Sequence, residues 1–415
     1  MTDTKSNFRW VVVALLFFIT IINYVDRASI AYAIDNIAAE FHFSQNKIGL
    51  ILGAFGIGYA FTTILGGIVA DHFGAKKTFI WAAVSWSLAT ALMGASNGFI
   101  IIFIARILLG LAEGPNFPAM TRAISDWLPE AERNRSLSYA LISVPLALAI
   151  GGPIVSQLIL FFSWRGAYFA LTAIAFLWLP VWILLFRDKP KDSAHVNAQE
   201  LAYIEHDASI KTQLEHGKNP WRVLLLNKTL LANNWSFFVF GFYLFFFMTW
   251  LPNYLSMTYH FNLKKIGIYT IFPWLLAAIM MWAMGIVCDR IFKKTKDLRL
   301  SRSYPILLSQ LLSAACVIPI IFIKDIEFAI IFISLAVGFA MSANASFYAV
   351  NLDVAKARVG TALGIMDAIF ALSGFCAPTI TGLIVSYAGH FEAVFWLLAA
   401  LGLSSTVVTF MFHNR

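Results

Sequence analysis

The chain has 415 residues, of which 60% are hydrophobic and only 13% charged, and its mean hydropathy is +0.76. A soluble domain carries about 25% charged residues, so a water-soluble enzyme is excluded and a polytopic membrane protein is indicated. The formal charge of +8 reads as basic residues that set topology beside a bilayer, not as a nucleic-acid footprint.

A helix needs about 20 apolar residues to cross the hydrocarbon core. On that scale the sequence predicts twelve spans, over 9–34, 45–71, 78–96, 98–124, 134–161, 165–186, 228–257, 264–289, 302–323, 326–351, 359–386 and 390–412. Backbone groups in lipid must be satisfied within the segment, so these runs are helices. The first is not expected to be a cleavable signal, because Asp26 and Arg27 interrupt the apolar run ahead of Ala31-Tyr32-Ala33. Arg187 to Trp221 is polar, with Asp188, Lys189, Lys191, Glu200, Lys211 and Glu215, and reads as a connector carrying a short surface helix. The expected division is a six-helix bundle over 1–187, a cytoplasmic connector over 188–226 and a second six-helix bundle over 227–415. Alternating the loops puts twenty-three of the 30 basic residues on one side and five on the other, so both termini and the connector are expected in the cytoplasm.

The first span contains Asn23-Tyr24-Val25-Asp26-Arg27. A charge at mid-membrane depth costs roughly 2.5–3.5 kcal/mol on insertion scales, so these two need partners or an aqueous cavity. In the fourth span Arg106 and Glu113 are two helical turns apart and share a face, expected to point at the first span. Adjacent residues diverge by about 100° on a helix, so Asp26 and Arg27 point different ways. The four charges read as a proton-coupled anion site. Arg27 would hold a substrate carboxylate with its planar fork. Arg106 would hold a carboxylate of the protein, and Asp26 and Glu113 would exchange protons when an arriving anion competes for a guanidinium. Tyr24 is a candidate substrate contact. Tyr243, Phe247 and Trp250 in the seventh span, and Asn344, Ser346 and Asn351 in the tenth, read either as cavity wall or as packing and helix glue. Asp367 in the eleventh is a fifth charge: a further proton site, a partner for a ligand ammonium, or an internally paired group.

Gly67-Ile68-Val69-Ala70-Asp71-His72-Phe73-Gly74-Ala75-Lys76-Lys77 follows the second span, and Gly285-Ile286-Val287-Cys288-Asp289-Arg290-Ile291-Phe292-Lys293-Lys294 follows the eighth. Recurrence at corresponding places is the mark of a parallel repeat of six-helix halves. The first copy resembles the loop signature of the major facilitator superfamily between helices two and three, with His72 and Ala75 departing from it; the second copy has Phe292 where the later glycine belongs. A finer resemblance is to the anion:cation symporter family. It rests on Asn23 to Arg27, on Arg106-Ile107-Leu108-Leu109-Gly110-Leu111-Ala112-Glu113-Gly114-Pro115-Asn116-Phe117-Pro118, and on Trp250-Leu251-Pro252-Asn253-Tyr254-Leu255. The resemblance implies alternating access between two bundles, proton roles for Asp26 and Glu113, and substrate binding at Arg27. It also implies gating by Gly67, Asp71, Gly74, Lys77, Asp289 and Arg290, with Asp71 latching the halves through a helix terminus or an arginine such as Arg133 or Arg135. A hinge at Gly151-Gly152-Pro153 is a looser parallel. Where sugar-acid members offer a glutamine in helix five this chain has Val144, and where relatives tend to carry an amide in helix eleven it has Asp367.

The sequence therefore predicts an all-α membrane protein of twelve transmembrane helices in two pseudo-symmetric bundles. Its expected function is proton-coupled symport of small organic anions, such as sugar acids, as a monomer in the inner membrane. The expected partners are the anion, protons and lipid. No nucleotide-binding loop drives it, His42, His72, His260 and His390 are too scattered for a metal, and neither a cofactor nor an enzymatic activity is expected. The alternatives are an uncoupled uniporter or exchanger, a carrier or exporter of a zwitterionic or chelating metabolite, and a membrane sensor of the same fold.

Overall fold

The computed structural model describes residues 6–205, 226–355 and 359–413. The first half contains α1 (Phe8–Phe41), α2 (Gln45–Gly94), α3 (Phe99–Glu113), α4 (Asn116–Trp127) and α5 (Glu130–Leu185). The connector contains α6 (Ala198–Glu205). The second half contains α7 (Lys228–Tyr259), α8 (Leu263–Tyr269), α9 (Ile271–Thr295), α10 (Tyr304–Ile320), α11 (Ile326–Ser342), α12 (Asn344–Ala355), α13 (Val359–Ala388) and α14 (Glu392–Phe412).

Among the described residues nine helical segments are long and apolar enough to cross a bilayer, and the bent α2 makes a tenth. Two are of double length: α2 has 50 residues and α5 has 56, which at 1.5 Å per residue is more than twice the roughly 30 Å of a hydrocarbon core. Counting each of these twice gives twelve crossings. Both double helices fold back at a residue of nearly the same backbone conformation, Gly74 (φ 81°, ψ 163°) in α2 and Ser163 (φ 65°, ψ 170°) in α5. Glycine enters that region without a Cβ penalty, whereas serine is strained there. A Cβ on Gly74 would also meet the Asp188 carboxylate at 2.7–2.9 Å. That carboxylate accepts the Lys76 backbone N–H at 2.8 Å and so caps the third span from the connector. The glycine-rich signature loop is thus almost wholly helical, with one glycine making the turn. Pro145, Pro153 and Pro180 lie inside α5, yet the helix runs on past Gly151-Gly152-Pro153 without leaving helical geometry before Ser163.

The first and last described residues, Ser6 and His413, and the connector helix α6 lie on one face of the bundle, the terminal face, as an even number of crossings requires. In the first half α1 packs on α5 and α2 on α3; in the second, α9 packs on α11, α10 on α14 and α7 on α13. The halves meet where α13 lies along α2 and α5 meets α8 and α9, mainly toward the far face. There a Cβ on Gly49 would stand 2.8 Å from the Gly382 Cα, so only paired glycines allow this approach. Among the described residues the hydrogen bonds between halves also fall here: Tyr32 Oη to Thr270 Oγ1 (3.1 Å), Gln45 Nε2 to Met257 Sδ (3.4 Å) and Asn253 Nδ2 to Asp35 Oδ1 (2.6 Å). Toward the terminal face, Gly67 and Gly364 look onto open space.

The short connector helix is present, but it is not merely a surface element. Glu200 is fully buried. It accepts from the Ser6 hydroxyl (2.6 Å) and from the backbone N–H groups of Phe8 (3.0 Å) and Arg9 (3.1 Å), and it pairs with the Arg9 guanidinium at 2.9 Å. A carboxylate from the connector thereby caps the start of α1, where unpaired N–H groups and the helix dipole favour an anion. Arg9 also pairs with Glu132 at the start of α5. Residues 206–225, which include Lys211 and Glu215, and residues 356–358 lie outside the described part of the chain.

Two predictions follow from these contacts. Burial pushes the Glu200 carboxyl up, but its donors, Ser6 and the Arg9 and Phe8 N–H groups with the Arg9 guanidinium, outweigh burial and hold it below its ordinary value. The sign for a depressed acid is stabilisation that is complete above the free carboxyl value of about 4.3 and lost as pH falls through the folded one. Hydrogen exchange in the first turn of α1 is expected to accelerate across that acid window. Glu200→Ala is expected to produce the same acceleration at neutral pH, because it removes the acceptor of the Phe8 and Arg9 N–H groups. Arg9 keeps Glu132, so the cost is that of a lost helix cap, about 0.5–2 kcal/mol. Separately, Ser163→Gly is expected to stabilise the protein by about 1–3 kcal/mol, read as a higher midpoint of thermal unfolding in detergent.

Candidate functional site

The break between α3 and α4 builds the site. Pro115 has no N–H to give, so a helical hydrogen bond is lost there; α3 ends at Glu113 and α4 restarts at Asn116, with Gly114 and Pro115 between them still in the right-handed helical region. Both polar side chains are thus presented at mid-span beside α1. Arg27 Nε donates to Glu113 Oε2 at 2.9 Å, with Arg27 1% exposed and Glu113 0%. Arg27 Nη2 donates to Asn23 Oδ1 at 3.4 Å, and Asn116 Nδ2 donates to the same oxygen at 3.4 Å. Three rings surround the guanidinium: Tyr24 at 4.3 Å, Phe55 at 4.6 Å and Tyr59 at 4.7 Å from its carbon. Aromatic faces stabilise a desolvated cation, which accounts for a charge so far from water.

The expected four-charge cluster is therefore a pair with two neighbours. Arg27, expected to be free for substrate, holds the protein's own Glu113. Arg106, expected to hold a carboxylate, holds none. Its Nη1 donates to the Arg27 backbone carbonyl at 3.4 Å, its guanidinium carbon lies 5.2 Å from the Phe55 ring, and its Nε has no hydrogen-bond partner. The reason is geometric, since Glu113 is turned toward α1 and spends its near oxygen on Arg27. Asp26 is 2% exposed, and its Oδ2 has no partner. It diverges from Arg27 as the helix requires and lies within electrostatic reach of Tyr168 on α5. Glu113 Oε1, Asn23 Nδ2 and Asn116 Oδ1 are also buried without a hydrogen bond. Buried polar groups are ordinarily satisfied, so this cluster has open valences for a proton, a water or a ligand.

Other expected contacts are differently placed. Tyr243 is turned away from the first half, and its hydroxyl donates to the Leu398 carbonyl at 2.7 Å. Trp250 donates to the Pro378 carbonyl at 3.1 Å, so the aromatic stripe of α7 is packing within the second half, where hydroxyl and indole N–H need local acceptors. Asn344 opens α12 at the break in the tenth span, and its Oδ1 is buried without a partner. Asp367 is partly open and accepts from Tyr348 Oη at 3.5 Å. Asp71 pairs with Arg122 at 3.0 Å, not with Arg133 or Arg135. Arg133 instead caps the end of α4 through the Ser125 and Leu128 carbonyls, and Arg135 donates to Tyr139. Both partners of Asp71–Arg122 lie in the first half, so in this conformation the pair does not join the halves. Lys77, Asp289 and Arg290 are exposed. A cavity of about 150 Å³ lies near the far face between Tyr32, Asp35, Pro252 and Phe261, away from the Arg27–Glu113 pair.

Sequence reading missed Phe55, Tyr59 and Tyr348. The i, i+4 spacing of Phe55 and Tyr59 on a glycine-rich span was the available signal. Removing one member of a buried pair strands the other charge at a cost of about 3–5 kcal/mol, whereas replacing both with apolar residues is close to neutral. Arg27→Leu alone is expected to lower the thermal midpoint of the purified protein sharply. Adding Glu113→Leu is expected to restore most of the loss without restoring ligand binding.

A family model described as the Major Facilitator Superfamily matches residues 16–296 and 297–415. The chain is 32% identical over 390 residues to a probable sulfoacetate transporter of Cupriavidus necator, covering 94% of this chain and 90% of the relative. It is 31% identical over 406 residues to a hexuronate transporter of Bacillus subtilis, covering 97% and 94%, and 28% identical to a probable galactarate/D-glucarate transporter of the same organism, covering 95% and 90%. In fold it is similar to the crystal structure of a D-xylose-proton symporter, with TM-score 0.76, 14% identity and 98% of both chains covered. It is also similar to an inward-facing bacterial homologue of the human lysosomal transporter Spinster, with TM-score 0.74, 16% identity, and 99% and 95% covered. A twelve-helix fold with a buried ion pair at its centre, matched over nearly its whole length by anion carriers, makes this chain a membrane transporter of the major facilitator superfamily, in its anion:cation symporter family.

Proposed function

We propose that this transporter moves small organic anions inward together with protons, by alternating access around the Arg27–Glu113 pair. The observation that carries the reading is the half-satisfied state of that pair. Arg27 spends one bond on Glu113, while Glu113 Oε1, Asp26 Oδ2 and Arg106 Nε are buried without partners. A substrate carboxylate or sulfonate competing for the Arg27 fork would free Glu113. A buried carboxylate that loses its cation takes up a proton. Anion arrival and protonation are then one event, and release on the other side reverses it. Asp26, buried beside the pair, is the second proton site in this reading, and Arg106 keeps the local field positive for the anion. The relatives named for hexuronate, galactarate/D-glucarate and sulfoacetate support an acidic organic substrate.

The reading sets roles for the halves as well. With the far face sealed by α2 on α13 and by the Asp35–Asn253 bond, the site opens toward the terminal face. That face is the cytoplasmic one by the distribution of basic residues. Asp71, Gly74 and Lys77, with Asp289 and Arg290 in the second copy, stay as gating residues that act when the terminal face closes.

The test is uptake by proteoliposomes of the purified protein under an imposed pH gradient, with internal pH followed during uptake. Wild type is expected to accumulate acid and to acidify the lumen. Asp26→Asn and Glu113→Gln are each expected to cut gradient-driven uptake at least about tenfold, a loss within the range that proton-transfer groups supply, while substrate exchange at equal pH survives. Undiminished gradient-driven uptake in the double variant would sink the proposal.

A further inference from the structure

Asp367 differs from the other charges inside the bundle. Its side chain is partly open. Its hydrogen bond from Tyr348 is 3.5 Å long, beyond the usual range for two oxygens. Among the described residues no arginine, lysine or histidine forms an ion pair with it. An acid at membrane depth without a cation is costly, and such groups mark substrate or ion pathways by default. Its place in the fold gives it an object. Asp367 belongs to the second half, on α13, which lies along α2 of the first. Two turns beyond it Gly374 stands against Gly56, next to Phe55 and Tyr59 on α2, and Asp367 lies within electrostatic reach of Tyr24 and Tyr59. Those are the two tyrosine rings that stack on the Arg27 guanidinium. The middle of the molecule therefore has two poles, a guanidinium in one half and a carboxylate in the other, with phenol rings between them.

We propose that Asp367 is a charge filter on the far end of the substrate. It accepts hydrogen bonds from an acid whose other end carries hydroxyl or ammonium donors, and it turns away acids with a second carboxylate at that end. This rests on the reading of Arg27 as the anchor for the first acid group. Once one carboxylate is at Arg27, a six-carbon ligand points its other end across the tyrosines. A hydroxyl or ammonium there supplies a closer donor than Tyr348 does. A carboxylate there meets a like charge in a poorly solvated place. Repulsion of the wrong ligand, more than attraction of the right one, is what separates two otherwise identical chains.

Matched pairs of six-carbon acids test the filter, each pair being the aldonate and the aldarate of one sugar, which differ only at the far carbon. Binding to the purified full-length protein is measured by thermal shift and by competition in proteoliposomes at one pH. Wild type is expected to bind the aldonate tighter by about tenfold or more, the scale of a like-charge contact. Asp367→Asn is expected to erase most of that ratio by tightening the aldarate, and Asp367→Glu to keep it. An aldonate with an amino group at the far carbon separates the two donors: a loss confined to it in Asp367→Asn marks ammonium recognition, and a loss shared with the plain aldonate marks hydroxyl recognition. Equal binding of the paired acids by wild type overturns the filter without recourse to any variant, as does an unchanged ratio in Asp367→Asn. Failure of the anchor would look different, with Arg27→Ala binding both acids as wild type does.

Discussion

A guanidinium and a carboxylate locked together at 2.9 Å, essentially without solvent, are the constraint around which this molecule is built. Such a pair is a poor stabilising device, because desolvation offsets the attraction. Its surroundings show how the cost is met. Three aromatic rings lie against the cation, Asn23 Oδ1 accepts from it and from Asn116, and the break at Gly114-Pro115 delivers Glu113 to it. Glu113 Oε1, Asn23 Nδ2 and Asn116 Oδ1 remain without partners, which is what the proposed exchange of a proton for a ligand requires.

The rest of the architecture divides into two halves around that site. Each half is held together internally, and the described part of the connector is tied to the first. Asp188 caps the third span and Glu200 caps α1, both by presenting an anion to a helix start. The halves touch through paired glycines and a few side-chain hydrogen bonds on one face. Close backbone packing brings α2 and α13 together there, and under the alternating-access reading this is the contact that opens and closes.

The two repeat copies have diverged in a way that the pairing makes visible. In the first, Asp71 and Arg122 lie against each other, and Arg122 reaches Asp126 as well. In the second, Asp289 is exposed, and the nearby ion pair is a longer one between Arg302 and Asp353 at 3.7 Å. The first copy keeps the turn glycine, Gly74, while the second has Phe292 and no such fold-back. The loop chemistry is therefore not symmetric, although the bundles are built on one plan.

Apolar run length, the spacing of Arg106 and Glu113 and the bias of basic residues were local properties, and from them the sequence by itself determined the class, the twelve crossings and the neighbourhood of Asp26, Arg27 and Glu113. Hydrocarbon leaves a backbone only the helix or the closed barrel, and apolar runs of about 20 residues select the helix, so length translates directly into spans. Which acid meets which base was not local. Glu113 and not Asp26 takes Arg27, Arg106 is left with a carbonyl, Asp71 finds Arg122, and Tyr243 spends its hydroxyl on Leu398. Those choices turn on the rotation of each helix about its own axis and on where Pro115, Gly74 and Ser163 interrupt it. Packing between spans far apart in the chain sets both, and only the tertiary structure decides them.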